Sequence, residues 1–371
     1  MGPGPAGSRE VSMHLSDSND INVQTPPEAE PAAGIQPTLG QPLRVHGGLG
    51  SAHGKAILMG EHSVVYGAPA VALPLLDLQT AASVRKADHG SISSDLYTGP
   101  LHAAPRELKP VVTALRATAE RVGLNSDSFE IVISSTVPLE RGLGSSAAVA
   151  AAMVRAVSNA VGVALTPEET FELVQIAENV AHGTSSGLDA HAVRSLSPVR
   201  FQSGQPTPVT VARSLTFVIA DTGTSGSTSA AVNGVRMLRK VNPSFVNGII
   251  DTLAGLAEDT ITALGAGDAA ALGQHMSAGH EQLARLGVSA PSLDALVTAA
   301  RMSGAHGAKL TGSGLGGCVL ALVDGADSAD GVIDAMKAAG ATQAWKTSLV
   351  SSQIADGVGA NERDALPKEN A

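Results

Sequence analysis

The run Pro138-Leu-Glu-Arg-Gly-Leu-Gly-Ser-Ser-Ala-Ala148 is a glycine-rich loop that ends in two serines at the start of an alanine-rich segment. A helix beginning there leaves its first amide N–H groups without partners, and its aligned peptide dipoles add partial positive charge. Gly142 and Gly144 carry no Cβ to keep an anion from the backbone. The chemistry that suits this arrangement is the holding of a polyphosphate. A well-capped strand-to-helix turn leaves the same trace.

Three further segments carry reactive residue types. In Gly54-Lys-Ala-Ile-Leu-Met-Gly-Glu-His-Ser-Val-Val-Tyr-Gly67 a lysine opens an apolar run and a Glu-His pair closes it. Lys55 could equally be a snorkelling lysine. The run is not a P-loop, because Leu49 and Ala56 stand where the first glycine and the metal hydroxyl belong. In Glu178-Asn-Val-Ala-His-Gly-Thr-Ser-Ser-Gly-Leu-Asp189 the Glu178 and His182 side chains share a helix face. They could form a zinc pair, but no further ligand cluster follows. Asp189 after the Ser-Ser-Gly turn reads equally as a cap. In Lys309-Leu-Thr-Gly-Ser-Gly-Leu-Gly-Gly-Cys318 a second glycine cluster lies between two strand-like runs. Both glycine clusters imitate a dinucleotide fingerprint. The first stands about seven residues beyond its strand and the second leads into a strand, so neither fits a strand-turn-helix unit.

The positioning elements read as a mixture. Strands are expected at Lys55–Met59, Ala70–Leu76, Thr80–Arg85, Phe129–Ser134, Leu215–Ala220, Ala308–Thr311, Cys318–Val323 and Ala344–Val350. Helices are expected at 108–122 with Pro110 in the first turn, 147–161, 166–181 with Thr166 as cap and Pro167 at the first position, 229–241, 243–264, 268–286, 292–302 and 332–339. The pattern is α+β in two domains that meet near residue 213. The expected divisions are a disordered leader (1–40), an N-terminal domain (41–213), a C-terminal domain (214–355) and a flexible tail (356–371). Seven of the twenty prolines fall in the first 42 residues, which places the first boundary.

Composition limits the partners. With 43% hydrophobic but only 2% aromatic residues, the core must be built from small aliphatic side chains. A net charge of −10 argues against a nucleic-acid partner. The apolar run at 147–154 is too short to span a bilayer, and no secretory signal is evident. The single cysteine, Cys318, cannot form an intrachain disulfide, so a cytoplasmic setting is expected.

The chain resembles the GHMP kinases over roughly residues 45–352: all three family motifs are present among these segments, in the family's order along the chain. The Gly60–Gly67 and His182–Asp189 runs are similar to the members that phosphorylate mevalonate. A galactokinase is expected to read Gly-Glu-His-Thr-Asp-Tyr at the first, and a homoserine kinase to lack its Glu-His pair. The resemblance implies a ribosomal S5 domain 2-like N-terminal domain, a ferredoxin-like C-terminal domain and an active site between them. It implies Asp189 as catalytic base, with Lys55 beside it and also reaching ATP. Glu140, Arg141, Gly142, Leu143, Gly144, Ser145 and Ser146 would wrap the ATP phosphates, with Ser135 a further ATP contact. Ser146 and Glu178 would hold Mg2+. Glu61, His62 and Thr228 would lie near mevalonate. A homodimer is the usual assembly. Two residues depart from the family pattern: His53 replaces a proline, and Asn179 stands where a basic residue often follows the metal-binding glutamate. A GHMP kinase acting on phosphomevalonate or a sugar is the nearest alternative. A catalytically silent nucleotide-binding protein and a dinucleotide oxidoreductase are more distant ones.

Overall fold

A computed structural model describes residues 47–183 and 185–352, together with Met1. The expected leader (1–40), Met1 apart, and the expected tail (356–371) lie outside the described residues. In chain order the strands and helices are β1 (Gly48–Met59), β2 (Ala70–Lys86), β3 (Ser91–Ser93), β4 (Thr98–Pro100), α1 (Lys109–Arg121), β5 (Phe129–Ser135), α2 (Ser145–Ala160), α3 (Pro167–His182), α4 (Leu188–Ala192), β6 (Val199–Gln202), β7 (Gln205–Pro208), β8 (Leu215–Asp221), α5 (Thr228–Val241), α6 (Pro243–Ala266), α7 (Ala269–Arg285), α8 (Pro291–Met302), β9 (Gly307–Thr311), β10 (Cys318–Val323), α9 (Gly325–Ala338) and β11 (Gln343–Leu349). A short 3-10 turn, Ser63–Tyr66, joins β1 to β2.

The first sheet runs β4-β3-β5-β2-β6-β7, with β1 paired to the other side of β2. The two strands expected at 70–76 and 80–85 are one strand of 17 residues. Pro74 is tolerated inside it for a geometric reason. On one side β2 pairs with β6 at Ala70–Ala72 and with β5 at Thr80–Lys86, so the stretch around Pro74 faces neither strand. The missing N–H therefore breaks no ladder there. His53 marks a second irregularity: the β1–β2 register shifts between His53 and Gly54. The buried His53 imidazole donates through Nδ1 to the Gly54 carbonyl at 2.8 Å.

Helix α2 lies unusually close to this sheet. A Cβ on Gly48 would fall 2.0 Å from the Ala156 carbonyl oxygen, and one on Gly50 would fall 2.2 Å from that of Ala152. Glycine on the strand and alanine on the helix let the two backbones touch, which is how an aromatic-poor sequence fills space without voids. Helices α1, α2 and α3 cover that face, with Phe129, Ile131 and Leu115 among the buried side chains.

The second sheet is antiparallel, in the order β11-β8-β10-β9. Strands β8, β9 and β10 are buried on both faces, while the edge strand β11 is partly exposed, and the period of two sorts their side chains. Val218, Ala220, Val319 and Ala321 pack with α5, α6, α8 and α9. Phe217, Ile219, Leu320 and Leu322 pack with Leu58, Leu73 and Leu75 of the first sheet and with Met276 of α7. The change from first to second sheet falls between β7 and β8. Helix α9 begins at Gly325, seven residues before the position read from the sequence.

Candidate active site

The loop between β5 and α2 depends on left-handed backbone. Glu140 (φ 56°), Gly142 (φ 77°) and Gly144 (φ 73°) all adopt it, and Gly144 is the N-cap of α2. Its glycines make room for protein as well as for an anion. A Cβ on Gly144 would meet Lys55 Cγ at 2.9 Å, and one on Gly142 would meet Gly312 Cα at 3.0 Å. The two glycine-rich loops therefore touch backbone to backbone. Leu143 is fully buried, and its carbonyl accepts from Lys55 N at 2.9 Å.

The Lys55 ammonium lies 3.2 Å from Asp189 Oδ1 and donates to the Gly142 carbonyl at 3.0 Å. The Lys55 side chain is 3% exposed and that of Asp189 29%. Asp189 stands in the first turn of α4, a five-residue helix whose sequence reads only as a turn. Glu178, on α3, is 1% exposed. Burial first, and the nearby Asp189 charge second, push its carboxyl up to about 7, against the Ser146 hydroxyl and Lys55. The structure thus brings Lys55, Ser146, Glu178 and Asp189 into one cluster. His182 joins it, with Nε2 3.8 Å from Glu178 Oε2 and 3.4 Å from Ser146 Oγ. The expected shared face of Glu178 and His182 is present, and it points into the site. Among the described residues, neither Glu178 Oε1 nor Ser145 Oγ has a hydrogen-bond partner, and both are buried. An orphaned, desolvated carboxylate oxygen beside a serine hydroxyl is a donor set that fits a hard divalent cation.

The other expected residues divide into two groups. Glu61 is buried and ion-paired with Lys309, which is itself 0% exposed. His62 has φ 61° and donates through Nε2 to the Ser313 carbonyl at 2.8 Å, and burial lowers its pKa. Thr228 is exposed at the start of α5, and among the described residues no hydrogen bond ties it to the cluster. Its neighbours touch the second glycine loop, with Gly317 N donating to the Thr224 carbonyl at 2.7 Å. Ser135 Oγ shares a 2.7 Å hydrogen bond with Thr80 Oγ1 and accepts from Val137 N. Arg141 Nε donates to Asp221 Oδ2 at 2.8 Å, tying the first glycine loop to β8. Glu140 is exposed.

Sequence reasoning assigned no role to Lys309, Thr311 or Asp221. A lysine and a threonine leading a strand into a glycine cluster were visible, but their partners lie more than 240 residues away. Asn179 also contributes to the site's geometry. Its side-chain oxygen accepts from Ser185 N at 3.1 Å and so holds the turn towards Asp189.

The profile of the GHMP kinases N terminal domain matches residues 109–194, and that of the GHMP kinases C terminal domain matches 260–342. The mevalonate kinase of Thermococcus sibiricus is 36% identical over 296 residues, spanning 74% of this chain and 88% of that protein. That of Pyrococcus horikoshii is 35% identical over 304 residues, spanning 75% and 89%. Among solved structures, L. major mevalonate kinase in complex with R-mevalonate superposes with a TM-score of 0.73 at 26% identity, covering 82% of this chain and 96% of that one. Methanococcus jannaschii mevalonate kinase gives 0.71 at 22% identity, covering 82% and 98%, a likeness of fold. With the fold, the two glycine loops and the Lys55–Asp189 cluster in place, the chain belongs to the GHMP kinases, in their mevalonate kinase branch.

Proposed function

We propose that the protein transfers the γ-phosphoryl group of ATP to the C5 hydroxyl of (R)-mevalonate. The observation that carries this reading is the Lys55–Asp189 pair, 3.2 Å apart and open to solvent on the carboxylate side, next to the N-terminus of α2. The free amides at that terminus and the loop from Glu140 to Ser146 suit the phosphates. Ser146 and Glu178 would hold Mg2+, which when bound neutralises phosphate charge.

Phosphoryl transfer is mostly positioning and charge neutralisation. Asp189 accepts the C5 hydroxyl proton once that oxygen lies within about 3 Å. The oxygen then bonds to the γ phosphorus and ADP leaves. Lys55 holds the Asp189 carboxylate in place and stabilises negative charge developing on the attacking oxygen. Its second bond, to the Gly142 carbonyl, couples the base to the nucleotide loop. Glu61, His62 and Thr228 are assigned to the acceptor side. The ATP-binding part is taken as residues 41–213 and the C-terminal part as 214–355.

A coupled ADP-release assay with mevalonate, phosphomevalonate and galactose tests the reading. Turnover is expected with mevalonate. Preference for another acceptor would move the chain to a sister activity, and no release with any of them would favour a silent nucleotide-binding protein. We further infer a homodimer, on the family resemblance, which light scattering can measure. A cytoplasmic setting is inferred from the lone, buried Cys318. Among the described residues no helix is long and apolar enough to cross a membrane.

A further inference from the structure

Lys309 and Glu61 form the most deeply buried ion pair among the described residues, at 0% and 1% side-chain exposure. They come from different sheets. Glu61 stands in the turn that leaves β1, and Lys309 stands in β9. The Lys309 ammonium spends its donors inside the protein: on the Glu61 carboxylate, on the Leu310 carbonyl at 2.7 Å and on the Ile57 carbonyl at 3.5 Å. It has none left for a substrate.

A buried ion pair is a poor source of stability, because desolvating two charges offsets their attraction and a well-packed apolar pair often serves as well. Its geometric effect is clearer. Beside the pair, Thr311 Oγ1 accepts from Ile57 N at 2.9 Å and donates to Ile57 O at 3.1 Å, where the β1–β2 register slips. One residue after Glu61, His62 sits in left-handed backbone, a conformation that persists in a non-glycine residue only when its surroundings impose it. Two anchors impose it here: Glu61 on Lys309, and His62 Nε2 on the Ser313 carbonyl. Both anchors belong to β9 and the loop that follows it. That loop is the one whose Gly312 touches Gly142 of the nucleotide loop.

We propose that the Lys309–Glu61 pair is a clasp between the two sheets that sets the Gly60–His62 turn against the phosphate loops, making Lys309 a positioning residue for the acceptor although it touches neither substrate. The proposal rests on the acceptor-side assignment of Glu61 and His62 made above.

The test compares the wild type with Lys309→Met, Glu61→Gln and the double variant. Both single variants are expected to melt several degrees lower. Both should raise the acceptor KM about tenfold while the ATP KM stays within about twofold. The double variant, with no lone buried charge, should regain most of the melting temperature and keep the raised acceptor KM. Recovery of the acceptor KM together with the melting temperature would reduce the pair to a structural role and overturn the proposal. So would a raised KM in Glu61→Gln with an unchanged one in Lys309→Met, which would mean direct contact by Glu61 alone. Hydrogen exchange supplies a readout that needs no acceptor. Amides of residues 60–66 should exchange faster in the double variant while those of α2 do not, and unchanged exchange at 60–66 sinks the clasp. Should the wild type show no turnover with any acceptor, the functional reading fails, and the exchange result still decides whether the clasp exists.

Discussion

One lysine–carboxylate pair is bonded to the first glycine loop and another stands at the strand that enters the second, and their surroundings differ. In the Lys55–Asp189 pair the lysine is 3% exposed and the aspartate 29%. In the Lys309–Glu61 pair both partners are sealed. Burial raises the Glu61 pKa and lowers that of Lys309, pushing each towards its neutral form, while the charge of each opposes that push on the other. A carboxylate with one side open can exchange a partner for an incoming hydroxyl. A carboxylate enclosed with its lysine cannot. The same chemical pair is thus suited to reaction in one place and to positioning in the other, and water access is what separates them.

Substitutions at the two pairs should have opposite signatures. Asp189→Ala should lower kcat by about a thousandfold, in the range of a lost general base, with little change in the ATP KM and a smaller fall in melting temperature than at the sealed pair, because Lys55 keeps the Gly142 carbonyl. Steady-state kinetics and thermal denaturation read this together, and near-normal turnover would remove the base from the scheme. Lys309→Met should cost about 3–5 kcal/mol of stability, the usual effect of leaving one buried charge unpaired. Lys55→Met should cost less stability, because its aspartate partner can be solvated, and more turnover. Equal stability losses in denaturant titrations would erase the distinction.

Glu178 lies near the open pair and extends the comparison to the cation. Glu178→Gln should raise the Mg2+ concentration needed for half-maximal rate by about tenfold or more, since a ligating charge is lost. An unchanged titration would count against it as a ligand. The smallest effect concerns the helix that carries Asp189. His191 stacks on Phe171 with ring centroids 4.2 Å apart, and burial, helped by Arg194, lowers its pKa to about 4. A folded-state value below that of the unfolded chain means that this stability is complete above pH 6.5 and is lost as pH falls towards 4. After allowance for solvent screening the loss is about 1–2 kcal/mol. His191→Phe, which keeps the stack, should flatten the acid limb of a melting-temperature profile between those values.

Much of the architecture was legible because its signals are local. Helix α3 shows this most clearly. Thr166 and Pro167 announced its start, and the structure completes a capping box in which Glu169 bonds back to the Thr166 backbone. Elements without a local signal were missed. Strand β7, Gln205-Pro-Thr-Pro, is exposed throughout and exists because β6 pairs with it. The unity of β2 was hidden by Pro74, whose harmlessness depends on where β5 and β6 end.

At the site, the residue types and their order along the chain pointed to phosphoryl chemistry before any coordinates. The sequence by itself determined the glycines at left-handed positions, the caps, the apolar periods and the identity of the ionisable groups, because these follow from each residue's own conformational and chemical preferences. Which lysine meets which carboxylate, and whether water reaches the pair, was decided only by the tertiary structure. Lys55 and Asp189 are 134 residues apart, and Lys309 and Glu61 are 248 apart. Burial belongs to the packing around such a pair, and no residue carries it alone.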